Sequence, residues 1–87
     1  MSRLYRVEIA RRAVKVLATL PRREQQRVRA AIELLAATAR PPRCVAIAGE
    51  TSAYRVRVGH HRVIYEVRGE VLLIQVVRIG HRREVCR

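Results

Sequence analysis

The chain contains no aspartate, no phenylalanine and no tryptophan, only two cysteines and one lysine, and no long apolar run. Each absence closes off a class of protein. All seven acidic residues are glutamates, and their placement suggests neither the paired carboxylates nor the Ser-His-acid arrangement that many hydrolases use. Without Phe or Trp, a recognition surface built chiefly on base stacking is disfavoured. Cys44 and Cys86 are too few for a disulfide framework and match no zinc spacing. His60 and His61, adjacent in a turn, have no acidic or cysteine partners suited to a shared metal ion, so neither metal nor cofactor is expected. No segment approaches the ~20 apolar residues of a membrane-spanning helix, and the start Met1-Ser2-Arg3-Leu4-Tyr5 lacks the apolar centre of a signal peptide. A cytoplasmic protein with no membrane partner is expected.

What is present is arginine. Lysine and arginine together number 19, giving a formal charge of +12 over 87 residues. Arginine is a rigid fork of donors that stays charged when partly buried and meets phosphate oxygens two at a time. A polyanion is the expected partner, and an acidic companion protein is expected to offset the self-repulsion of so small a basic body. The length allows one domain over residues 1–87. Hydrophobic residues make up 49%, too many for a solvated basic tail, so the domain folds.

The patterning changes along the chain. Tyr5, Val7 and Ile9 alternate with Arg6 and Glu8, the period of a half-buried strand. Ile9, Ala13, Leu17 and Leu20 then recur at helical spacing until Pro21, which opens a second amphipathic stretch to Thr38 carrying Val28, Ala31, Ile32 and Leu35 on one face. Pro41-Pro42 ends it and starts a connection through Arg43 and Cys44. Tyr54, Val56 and Val58 alternate with Arg55 and Arg57; Gly59-His60 turns the chain into a strand over 62–67; Arg68-Gly69-Glu70 turns it again. The nearly continuous apolar run Val71 to Ile79, interrupted by Gln75 and Arg78, reads as a central strand. These elements predict an α+β fold of two layers, with an N-terminal strand and a helical hairpin packed on an antiparallel sheet. The opposite sheet face is left for function.

That face gathers Arg55 and Arg57, two apart on one strand, and Arg62 across the tight turn. His81 and Arg82 follow the last strand. Arginines alternating with valines are also the pattern of any solvated strand face. Clustering tips the balance, because crowded like charges destabilise the free protein unless a ligand offsets them. His81 is the candidate for proton transfer, since imidazole titrates near neutrality and guanidinium does not. His61 can face either the sheet core or the patch. The tyrosines 5, 54 and 65 fall at apolar positions and are expected to pack in the core with their hydroxyls partnered at its edge.

The stretch Tyr54-Arg55-Val56-Arg57-Val58-Gly59-His60-His61-Arg62-Val63-Ile64-Tyr65-Glu66, followed by Val77-Arg78-Ile79-Gly80-His81-Arg82-Arg83-Glu84-Val85, resembles the RelE/ParE superfamily of bacterial toxins. The resemblance extends over essentially the whole chain and is stronger to the RelE-like ribosome-dependent messenger-RNA interferases. It implies the toxin of a type II toxin-antitoxin pair, an endoribonuclease that uses basic side chains and the substrate 2'-hydroxyl without metal. It also implies an acidic, RelB-like antitoxin, the ribosome and messenger RNA as partners, and an antitoxin complex that binds its own operator DNA. Carried onto this chain, the basic row becomes Arg55, Arg57, Arg62 and Arg82. The sequence departs from the family pattern at two places: arginine stands at 55 and 57 where well-studied relatives have lysine, and Cys86 stands where many have a base-stacking tyrosine. The other reading is a ParE-like inhibitor of DNA gyrase with no nuclease activity, whose cue would be loss of the basic row. Here the row is intact.

Overall fold

In a computed structural model, residues 4–41, 44–47, 49 and 52–81 are described. The chain runs β1 (Arg6–Ile9), α1 (Arg11–Thr19), α2 (Arg22–Leu35), β2 (Cys44–Ala46), β3 (Ala53–Val58), β4 (His61–Arg68), a 3-10 turn (Gly69–Val71) and β5 (Leu73–His81). Two helices cover one face of a five-stranded sheet of order β1-β5-β4-β3-β2. This is the predicted α+β arrangement. β3 to β5 pair antiparallel as expected, β2 adds to β3 antiparallel, and β1 joins the same sheet parallel to β5, so the sheet is mixed. The short edge strand β2 lies in what the sequence suggests is a plain connection; its three residues are too few to display a period.

The helices form because their apolar residues share one face. Ala13 and Leu17 of α1 and Val28, Ile32 and Leu35 of α2 are buried against Val56, Val63, Tyr65, Val67, Ile74, Val76 and Ile79 of the sheet. Between the helices Leu20 and Pro21 are extended. Proline cannot continue the first helix yet suits the start of the second, where a missing N–H leaves no bond unmade. The Gln25 side-chain amide closes the junction by donating to the Leu17 carbonyl at 3.0 Å. The second helix ends at Leu35, three residues short of the predicted Thr38, in a turn whose Ala36 carbonyl accepts from the Tyr5 amide at 2.8 Å.

The tyrosines bind the end of α2 to the sheet. Tyr65 is fully buried, and its hydroxyl donates to the Ala39 carbonyl at 2.9 Å. Its ring stacks on Tyr54 at 5.9 Å between centroids. Arg40 lies over the Tyr54 ring, 5.3 Å from its centre, and its Nε donates to the Tyr54 hydroxyl at 2.8 Å. Among the described residues no helix is long and apolar enough to cross a membrane.

Candidate functional site

The pleat of β3 and β4 sends alternate side chains to opposite faces. Val56, Val63, Tyr65 and Val67 go to the helices and are buried, while Arg55, Arg57 and Arg62 occupy the uncovered face. The register places Arg57 directly opposite Arg62, and Arg55 opposite Ile64 on one side and Val45 of β2 on the other. Val58 and His61 flank a two-residue turn, so Arg57 and Arg62 form the next pair out, the non-hydrogen-bonded kind in which side chains lie closest. Arg62 in turn faces Gly80 of β5, which adds no side chain above it. Val45, Arg55, Arg57 and Arg62 thereby line a depression of about 380 Å³.

No carboxylate among the described residues compensates its charge. Among the described residues none of these arginines has an ion pair, and three of the glutamates are engaged elsewhere: Glu8 by Arg6 at 3.4 Å, Glu24 by His61 at 3.6 Å and Glu66 by Arg68 at 3.2 Å. Glu66 shares the open face, but Arg68 holds it. Like charges placed directly opposite each other cost roughly 0.2–1 kcal/mol per pair, so the free protein bears a small penalty that a phosphate between the two forks would relieve.

The other candidates fall differently. His61, left open between two directions by the sequence, is buried on the helix side of the sheet, close to Glu24 of α2, in a small cleft shared with Arg27 and Gly59. It is separated from the arginine depression by the thickness of the sheet. The backbone of His81 closes β5 and pairs with His61, one register step beyond the Arg62–Gly80 pair. Arg82 and Cys86 lie outside the described residues.

Arg78 is the residue that sequence reasoning passes over. Ile74 and Val76 face the core, so strict alternation would send Arg78 inward with them. Instead the register slips between Ile64 and Tyr65: Tyr65 pairs with Val76 and Ile64 with Arg78, leaving Val77 as an extra residue in β5. This β-bulge turns Ile79 to the core and Arg78 outward, exposed, on the same face as Arg55 and Arg62. The available signal was an arginine falling in the core phase of an otherwise apolar strand.

A pair of helices on one face of a small sheet, with an arginine cluster on the other, defines a small basic protein with a cationic open sheet face. The sequence profile of the ParE toxins of type II toxin-antitoxin systems, parDE, matches residues 7–86, and the chain belongs to this family. It is a type II toxin with a RelE-like fold. The RelE–RelB complex of the archaeon Pyrococcus horikoshii OT3 matches at 29% identity with a TM-score of 0.78, over 91% of this chain and 96% of that one. The RelB–RelE antitoxin–toxin complex of Methanococcus jannaschii matches at 26% identity with a TM-score of 0.73, over 91% and 94%. A mutant of Escherichia coli RelE in the free state is similar in fold, with a TM-score of 0.80 at 17% identity over 94% and 87%. No curated protein matches the sequence.

Proposed function

We propose that this toxin is a RelE-like endoribonuclease that cuts messenger RNA on the ribosome, with the open sheet face as its substrate site. The observation that carries the reading is the bare cluster of Arg55, Arg57 and Arg62 in one depression. In the reaction the 2'-hydroxyl beside the scissile phosphate attacks phosphorus in line. The bond to the 5'-oxygen breaks, giving a 2',3'-cyclic phosphate and a 5'-hydroxyl; the nucleophile loses a proton and the leaving oxygen gains one. Arg57 and Arg62 hold the non-bridging oxygens and balance the charge that builds on them, while Arg55 orients the strand. Guanidinium keeps its proton at neutral pH, so the arginine row, extended by Arg82, supplies charge stabilisation and proton transfer falls to water or another group. The backbone register of His81, opposite His61 and outside the arginine lines, does not favour it for that role. The need for a 2'-hydroxyl selects RNA over DNA.

The matched RelE–RelB complexes support a RelB-like antitoxin partner, which we expect to be acidic to complement this chain and to bind operator DNA in the complex. A ribosomal target places the toxin in the cytoplasm. The second reading, inhibition of DNA gyrase without cleavage, is favoured by one observation, the match to the ParE profile. End-mapping of messenger RNA on translating ribosomes separates the two. The ribonuclease reading expects discrete cuts with the wild type and about a hundredfold or greater loss with Arg62→Ala, the variant remaining folded. Intact messenger RNA together with inhibited supercoiling would hand the assignment to the gyrase reading.

A further inference from the structure

The bulge in β5 adds a cation to the open face that the row of Arg55, Arg57 and Arg62 does not include. Across that face the register aligns Val45, Arg55, Ile64 and Arg78 in one line over four strands, with Arg57, Arg62 and Gly80 in the neighbouring line. Arg78 is exposed and, among the described residues, has no carboxylate partner; the face's own Glu66 is held by Arg68. Two strand steps separate Arg78 from Arg55, about 9.5 Å at ordinary strand spacing. Over that span the two forks, extended rather than folded toward each other, reach adjacent phosphates of one strand. Between them lies Ile64, half-buried and apolar, a floor suited to a ribose or base edge rather than to a charged group.

We propose that Arg78 is a further substrate-binding residue, holding the backbone phosphate next to the one at Arg57 and Arg62, so that an RNA strand crosses the sheet from β3 to β5. This rests on the reading of the open face as an RNA site. Arg78 binds the strand outside the reacting phosphate, so it acts on affinity rather than on the chemical step.

The test is binding of a fluorescein-labelled single-stranded RNA to the full chain over a salt series, comparing Arg78→Ala with Arg62→Ala and with Arg12→Ala. Arg12 is an exposed helix residue that removes the same charge from the other side of the molecule. Arg78→Ala is expected to weaken binding about fivefold at moderate salt and to lower the slope of log affinity against log salt by about 0.7, the value for one single-strand phosphate contact. Arg78→Lys should restore most of both. Arg12→Ala should leave the slope unchanged. In ribosome-dependent cleavage, Arg78→Ala should raise the toxin concentration for half-maximal rate and leave the maximal rate within about twofold. If Arg78→Ala behaves as Arg12→Ala while Arg62→Ala loses affinity and slope, the Arg78 assignment is overturned and the RNA site stands. If neither Arg62→Ala nor Arg78→Ala changes RNA binding, both fall together.

Discussion

Tyr65 shows how one residue can serve packing and polarity at once. Its ring is fully buried and its hydroxyl reaches the Ala39 carbonyl, so Tyr65→Phe leaves that carbonyl unpaired at little cost in shape. A loss of about 1–2 kcal/mol is expected, read as a melting temperature lower by roughly 4–8 °C per kcal/mol in a domain of this size. Burial, assisted by the neighbouring Cys44, pushes the Tyr65 phenol above its ordinary value of 10.0. The unfolded chain therefore sheds this proton first. The stabilisation is complete below about pH 10 and declines as pH rises through that value toward the folded one. Between about pH 8 and about pH 11 the wild type should lose more stability than Tyr65→Phe, measured by thermal melts; parallel curves would refute this coupling. Residue types alone placed Tyr65 in the core, yet its partner is 26 positions away and no local pattern names it.

At the scale of elements, the β3–β4 hairpin aligns Arg57 with Arg62, and its turn is where that alignment is set. Gly59 has φ +61, whereas His60 is not in the left-handed region, the pattern of a II' turn with glycine in first place. An alanine there would meet the Arg27 guanidinium only at 3.4 Å, a flexible neighbour, so the cost is mainly that of the backbone. Gly59→Ala should destabilise by about 1–2 kcal/mol, seen as a lower denaturant midpoint with an unchanged slope. An unaltered midpoint would show that the turn tolerates another geometry. This hairpin was legible because both strands alternate and the turn residues are explicit. The bulge in β5 was not, since a nearly continuous apolar run carries no period from which a register slip can be read. That is why Arg55, Arg57 and Arg62 stood out from the sequence and Arg78 did not.

For the whole molecule the governing quantity is the charge of +12. Self-repulsion at this density lowers the stability of the isolated chain and is screened by salt. Raising the salt from about 0.05 to about 0.5 M should increase the melting temperature of the free toxin by several degrees, and an acidic antitoxin should produce a comparable rise at low salt. A melting temperature that falls or stays level with salt would show the charges to be spaced beyond effective repulsion. The sequence by itself determined the basic charge, the order of the first strand, the two helices and the three strands that follow β2, their buried faces and the paired arginines around the turn, because these follow from composition, local periodicity and turn chemistry. Tertiary structure alone decided that β1 lies parallel beside β5, that His61 meets Glu24 away from the arginine face, and that Arg78 points outward. Those outcomes depend on which distant segments share a sheet and at what register, and that is settled only when the whole apolar surface is buried at once.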